Sequence, residues 1–318
     1  MMHPPPDFTC GRVRLLRTVF ALMFLAVPVS AHAQDSGLSF LALGTDAASL
    51  ALGDQGVAST SGAFATYWNP AGLVSGSGRS VGVSHHVWIA DVKSYAASAV
   101  FRSGDRSAFG GFITATDSGD LEAREQPGAS DGSFDAQFVS FGASYARIIG
   151  AVRAGVTAKF ITERIYANSA NGFAIDAGVQ ASTRNNGLLL GAALSNVGSM
   201  SALNAVSTKL PRIARFGATL YPFRVMADLD GTLLLNTAVY GEVSHNTATE
   251  QTRFHIGLSG EVLDTVTARF GYVSNDDLRS YSVGLGIEVA TLVLDYALIP
   301  FENGFGGPAH IITLTYGF

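Results

Sequence analysis

From about Ser80 to Phe318 the chain is a succession of short segments in which apolar and polar residues alternate. Strand side chains point to opposite faces with a period of two, so each segment is committed to a sheet with one apolar and one polar face. In His310 to Phe318, residues Ile312, Leu314, Tyr316 and Phe318 share one face, and Ile311, Thr313, Thr315 and Gly317 the other. The clearest case is Tyr281 to Val289, where Tyr281, Val283, Leu285, Ile287 and Val289 oppose Ser282, Gly284, Gly286 and Glu288. Phe254, Ile256, Leu258 and Val262 against His255, Gly257, Ser259 and Glu261 repeat the design, as do Val152, Val156 and Phe160 against Arg153, Thr157 and Lys159. Fourteen such segments are counted: about 80–88, 92–103, 107–119, 137–149, 151–165, 173–184, 188–198, 211–223, 232–246, 252–263, 266–274, 281–290, 292–300 and 310–318. Alternation alone does not say which face is inside, because a soluble barrel turns its apolar face inward and a membrane barrel turns it outward.

Composition and the N-terminal residues favour the membrane. Only 14% of residues are charged, against roughly 25% in soluble domains. Arg12, Arg14 and Arg17 precede an apolar run from Val19 to Val29 and then Ser30-Ala31-His32-Ala33, the pattern of a secretory signal peptide cleaved before Gln34. Residues 1–33 are therefore excluded from the fold. Cys10 precedes the apolar run, so it is not a lipoprotein cysteine, and no cysteine follows it. A disulfide framework and thiolate metal sites are excluded. No later segment has the roughly 18 continuous apolar residues of a membrane helix, which leaves a closed barrel as the way to span a bilayer. The net charge of −5 is mild and unclustered, giving no reason to expect nucleic acid.

The connections carry a second test. With both ends of the barrel on the periplasmic side, even-numbered links should be tight turns and odd-numbered ones longer outer loops. The even set is Gly104-Asp105-Arg106, a break near Gly150, Asn185-Asn186-Gly187, a longer link at 224–231, Asp264-Thr265 and a break near Thr291. The odd set includes 120–136, 166–172, 199–210, 275–280 and 301–309, with a short first member at Ile89-Ala90-Asp91. The chain is thus read as an all-β transmembrane antiparallel barrel of about fourteen strands over residues 80–318. Residues 34–79 lack alternation, are rich in Ala and Gly, and include a helical stretch from Asp46 to Leu52. Too short to form a domain, this segment is expected to plug the lumen or its periplasmic mouth.

Within the plug lies Tyr67-Trp68-Asn69-Pro70-Ala71-Gly72-Leu73. Asn-Pro biases Asn69 away from the helical region and sets the next φ, Gly72 permits a left-handed conformation, and the stretch reads as a rigid turn with Tyr67 and Trp68 packed beside it. Together with Ala47 to Ala58, which holds Gly53 and Gly56, this resembles the N-terminal signature of the PorV/PorQ family, a branch of the FadL-like fourteen-stranded outer-membrane barrels. The family form Met-Gly-Gly is here Leu52-Gly53-Asp54. The resemblance implies an outer-membrane protein of a Gram-negative bacterium that acts in type IX secretion, either as a PorV-like shuttle for the C-terminal domain of secreted cargo or as a PorQ-like attachment subunit. Its implied partners are type IX components, cargo C-terminal domains, outer-membrane lipid and the barrel assembly machinery, and its implied work is binding, without a cofactor or enzymatic step. The alternative is a FadL-like transporter with a hydrophobic ligand in the lumen. Against it, the outer loop from Asp120 to Ala136 contains one aromatic residue and offers no apolar capture surface.

Other chemistry finds little support. His85 and His86 are adjacent, so on a strand they face opposite sides, and no third ligand lies at metal-site spacing. Glu242, Glu261, Glu288, Asp176 and Asp295, with Arg153, Lys159, Arg215, Arg269 and His255, fall on polar strand faces. A polar lumen neutralised by cross-strand ion pairs accounts for them. Ser259 with His255 is read as a chance spacing, and no phosphate loop, nucleophile elbow or His-Glu-x-x-His occurs.

Leu314, Tyr316 and Phe318 are expected to form the C-terminal assembly signal of the barrel. A Phe318→Asp variant should give less folded, heat-modifiable protein in the outer-membrane fraction. An unchanged folded yield would count against that role.

Overall fold

The computed structural model describes residues 38–318 apart from 77, 120, 124–131, 184, 204–205, 226–235, 264 and 303–305. The expected signal peptide and cleavage point lie outside the described residues, as do most of the 120–136 loop and parts of the links at 224–231 and 301–309.

Eighteen strands are present among the described residues, and fourteen of them close into one antiparallel barrel. In chain order the barrel strands are β1 (Arg79–Val87), β2 (Lys93–Ser103), β3 (Ser107–Asp117), β6 (Ala136–Ile149), β7 (Val152–Ile165), β8 (Asn168–Ser182), β9 (Leu188–Met200), β12 (Ile213–Leu220), β13 (Ala238–Asn246), β14 (Gln251–Leu263), β15 (Val266–Val273), β16 (Tyr281–Val289), β17 (Leu292–Ile299) and β18 (Ala309–Gly317). The short pairs β4 (Leu121–Ala123) with β5 (Gly132–Phe134), and β10 (Ala202–Leu203) with β11 (Val206–Ser207), are ribbons within outer loops. Closure is made by β1 against β18, from Ser80 opposite Gly317 to Val87 opposite His310. With no edge left, the wall's backbone groups can be paired as hydrocarbon requires.

The alternation now has a direction. Leu285 is 53% exposed, whereas Ser282 is 3% exposed on the opposite face of the same strand. Ile312, Leu314 and Tyr316 likewise face outward, while Ile311 and Thr313 are buried. Every apolar stripe thus turns to lipid and every polar stripe to the lumen. On β7 the outward residues are apolar from Val152 to Phe160 and polar at Thr162 and Arg164; on β8 they are polar at Ser169 and Asn171 and apolar from Phe173 to Ala181. Nine residues along a tilted strand rise about 23 Å, matching the roughly 25 Å apolar band of outer-membrane barrels.

Aromatic rings mark both borders of that band. Phe141, Phe160 and Phe173 pair directly across β6, β7 and β8, with ring centroids 5.3 and 5.0 Å apart. At the opposite border, Phe318 contacts Phe101 at 6.4 Å and Tyr316 at 5.8 Å, Phe101 pairs with Phe109, and Phe109 lies 5.1 Å from Tyr145. Phe318 is one member of a contiguous girdle.

Two expectations are corrected. The link at 166–172 is a tight hairpin with only Tyr166 and Ala167 between β7 and β8. Alternation continues through Asn168 to Gly172, with Ala170 and Gly172 inward, in small residues that give little apolar contrast. As a result β6 to β8 are the longest barrel strands, at 14, 14 and 15 residues against 13 for β9 and β14 and nine for β16 and β18. The segment expected at 211–223 is a strand only from Ile213 to Leu220, and Pro222–Val225 forms a helical turn.

Residues 38–76 fill the interior. Their apolar side chains join barrel residues in separate clusters, one of them Leu38 and Leu41 with Ile161, Ala170, Ala174, Met200 and Leu210. A second sets Ala47, Leu50 and Ala51 against Trp88, Ala297, Ile299, Ala309 and Ile311.

Because Leu285 faces lipid at the middle of its strand, Leu285→Arg should lower folding stability in bilayers by about 2–4 kcal/mol. Urea titration of the protein in lipid vesicles measures it, and an unaffected midpoint would contradict the assigned orientation.

Candidate functional site: the plug and its seat in the lumen

The plug begins near the outer end of the barrel. Its helix, Ala47–Ala51, is capped by Asp46, whose Oδ2 accepts the Ser49 N–H at 2.9 Å while Oδ1 accepts the Trp68 indole N–H at 2.6 Å. Burial pushes the Asp46 carboxyl above the usual range, opposed by those hydrogen bonds. The helix N-terminus is tied to the wall by the Ala47 N–H donating to Thr313 Oγ1 at 2.8 Å. Thr313 continues to Ser84 at 2.7 Å, and Ser84 to His86 Nε2 at 2.8 Å.

The chain reverses at Gly53, whose φ of +88° suits glycine. Its N–H donates to Ser282 Oγ at 3.1 Å, and its carbonyl meets His255 Nδ1 at 2.6 Å. The next turn is held by Glu242, whose Oε2 accepts both the Gly56 and Val57 N–H groups at 2.9 Å. Glu242 also pairs with Arg215 at 3.5 Å. The Arg215 guanidinium in turn lies 5.8 Å from the Tyr67 ring centroid and 5.4 Å from that of Trp68, within cation–π range. Tyr67 and Trp68 meet edge to face at 5.1 Å.

Asn69 is extended, with φ −162° and ψ 106°, as the following proline demands. Its amide spans three backbones. Nδ2 donates to the carbonyls of Val57 at 2.8 Å and Val179 at 3.0 Å, and Oδ1 accepts the Ala71 N–H at 3.1 Å. Pro70–Val74 then forms a 3-10 turn. Gly72 does not use the left-handed conformation that its residue type permits. It is needed because a Cβ there would strike the Thr60 carbonyl and the Ala65 side chain.

A feature the sequence reading missed is the wall's use of glycine on its inward face. A Cβ at Gly155 would enter Pro70, at Gly178 the Asn69 amide, at Gly191 the Val57 carbonyl, and at Gly271 the Gly53 backbone. Glycine on a polar strand face was the available signal, because it marks where another backbone approaches.

The expected plug residues Gly53, Gly56, Tyr67, Trp68, Asn69, Pro70, Ala71 and Gly72 therefore meet in one packed unit, whereas Leu314, Tyr316 and Phe318 sit apart on the outer wall. Cross-strand ion pairs expected in the lumen are present as Lys159–Asp176 at 2.8 Å, Arg215–Glu242 and Arg269–Asp295 at 2.7 Å. Ser259 bonds Tyr240 at 3.0 Å, while His255 bonds Ser244 at 2.8 Å, so these two do not form a catalytic pair. His85 stacks on Tyr95 at 4.9 Å and His86 is buried on the other face. No cluster of three metal-ligating residues occurs among the described residues.

A cavity of about 440 Å3 opens at the periplasmic end between the plug and the wall, beside Ser61, Phe64, Leu73, Ser80, Val100 and Thr315, whereas two cavities further out are small. A cavity beside Leu43, Thr45, His86, Ser140 and Lys159 holds about 20 Å3, and one beside Asp54, Arg215, Arg253 and His255 about 30 Å3. Each has room for roughly one water.

Residues 30–183, which take in the plug and the first six barrel strands, match the family model described as type IX secretion system protein PorV. Over those residues, a little under half of its length, the chain is similar to the PorV family. It is an outer-membrane barrel of a Gram-negative bacterium, as that family and the fold require. Solved structures with the same fold include the Ralstonia pickettii toluene transporter TbuX, at 15% identity and a TM-score of 0.60 over 88% of this chain and 100% of that one. The Pseudomonas putida toluene transporter TodX aligns at 11% identity and 0.57, over 86% of this chain and 96% of that one. A Pseudomonas aeruginosa FadL homologue aligns at 11% identity and 0.55, over 86% and 98%. At such identities these neighbours establish the FadL-like barrel alone. No curated protein matches the chain.

Replacing Asn69 by Ala would orphan buried carbonyls of the plug and wall, at about 1–3 kcal/mol for each group left unpaired. The temperature at which the compact gel band is lost should fall in Asn69→Ala, and fall further in Gly178→Val; wild-type behaviour in both would show that the turn is not an anchor.

Proposed function

We propose that this protein acts in type IX secretion or in attaching secreted cargo to the cell surface, by binding and not by catalysis. The observation that carries the reading is the seating of the family-matched segment: the plug packs inside the barrel and leaves, in the outer half of the lumen, cavities the size of single waters, the larger space of about 440 Å3 lying at the periplasmic end. A transporter of hydrophobic compounds needs a pocket of about 300 Å3 or more along its route. Neither of those two cavities within the outer half of the lumen approaches that size. Binding then falls to surfaces outside the plug. The partners implied are type IX components and the C-terminal domains of exported cargo, held by the outer rim. Shuttling and surface attachment would both use that rim, differing in whether the bound cargo is passed on.

Affinity purification of the tagged protein from its native envelope tests the reading. Secreted proteins bearing C-terminal sorting domains should co-purify. A clean absence of them, together with fatty acid or detergent bound in the lumen, would overturn it in favour of transport.

A further inference from the structure

Several outer connections touch the plug through apolar contacts, and one reaches it through charge. The connection from Ser274 to Ser280, between β15 and β16, turns Arg279 inward until it is 6% exposed. Its Nη2 lies 2.9 Å from Oδ2 of Asp54 in the plug, and its Nε 3.0 Å from Oδ2 of Asp276 in the same loop. Asp276 also faces Arg253 of β14 at 3.4 Å. Two cations and two anions are thus closed into one group spanning loop, wall and plug. On the outside, the Leu278 carbonyl accepts the Glu302 N–H at 2.9 Å and Ser280 bonds the Glu302 carboxylate, so the loop is joined to the β17–β18 connection.

The loop is held by charge and hydrogen bonds. None of its residues belongs to the buried apolar clusters among the described residues, and Leu278 is 37% exposed. Buried ion pairs sit near break-even against hydration, so lifting such a loop returns most of the desolvation cost. Asp54 itself has φ +62°, a left-handed conformation that aspartate tolerates better than most residues, so its carboxylate is held toward Arg279 at some backbone cost. It adjoins Gly53, Gly56 and Val57, the residues gripped by Ser282, His255 and Glu242.

We propose that the Ser274–Ser280 loop is a latch, which ties the plug to the outer rim through Arg279 and Asp54 and keeps the lumen closed until something displaces it from outside. Loss of the latch frees the Gly53–Val57 turn and opens an aqueous path along β14 to β16. The latch is a property of the barrel alone and needs no cargo, so its failure would leave the binding role untouched.

Purified protein in planar lipid bilayers provides the test. Wild type should stay closed, while Asp54→Gly and Arg279→Met should each show discrete openings, with mean conductance at least tenfold higher. Asp54→Gly suits the left-handed position and so removes the carboxylate without straining the fold, and heat-modifiable migration verifies the barrel in each variant. Lys159→Met breaks the buried Lys159–Asp176 pair about half way round the barrel and should remain closed. A conducting wild type, closed latch variants, or a Lys159→Met variant that opens as readily would each overturn the proposal.

Discussion

Backbone groups of the plug that are packed against the wall must find partners there, and the arrangement of the wall follows from that demand. A helix pairs its own backbone and a strand pairs with its neighbour, but the Gly53–Val57 and Asn69–Ala71 turns have neither. Glu242 takes two N–H groups of the first, Ser282 a third, and His255 meets a carbonyl; Asn69 serves the second from within the plug. These side chains reach only because the wall is bare where the two backbones touch. Gly155, Gly178, Gly191 and Gly271 supply that bareness, each at a point where a methyl group would collide. The cost of flexible residues in strands is offset by pairing groups that would otherwise each lose about 1–3 kcal/mol on burial.

Strand number and phase were legible in the sequence because lipid and lumen impose opposite chemistry on alternate residues. Tyr281–Val289 shows it in full, and all fourteen segments reappear with ends shifted by a few residues. Where chemistry did not contrast, reading failed. Asn168 to Gly172 is strand but carries only small and polar side chains, so it passed for a loop. The Asn69 turn was visible as a motif, since Asn-Pro restricts the backbone locally. Its partners were not, because Glu242 lies 186 residues from Gly56 and Arg279 225 from Asp54. Nothing local ties such pairs together. Gly72 shows the same limit in miniature: its residue type permits a left-handed φ that it does not use, and it answers instead a neighbour 12 positions upstream.

Most buried charge among the described residues is paired, while Asp46 and Glu163 are held by hydrogen bonds from neutral groups. Lys159 with Asp176, Arg215 with Glu242, Arg269 with Asp295, and Arg279 with Asp54 and Asp276 account for the close pairs. Pairs of this kind add little net stability over apolar packing, and breaking one partner is costly. Their value is positional. Arg215 can sit over Tyr67 and Trp68 only when Glu242 holds it, and Glu242 is placed by the same two plug amides. Asp276 follows the same logic at the rim: burial opposes its charge, but Arg279 and Arg253 outweigh that and hold its carboxyl below the usual range. Its contribution is therefore present at neutral pH and lost only as pH falls through that lowered value.

The apolar band also locates where a partner can be met. Since Phe160 and Phe173 mark its outer border, residues 161–172 of the β7–β8 hairpin rise beyond the lipid, with Thr162, Arg164, Ser169 and Asn171 outward. The β15–β16 side has no comparable extension, because β16 starts at Tyr281 and its outward face is apolar from that residue on. The outer end is therefore a step, high at β7 and β8 and low at β15 and β16. The inner face of the high side is covered by Leu38, Leu41 and Leu210, and the low side is where Arg279 enters. A protein seated on such a step would rest against the high wall and press on the low rim, so the loop that grips the plug lies under the load.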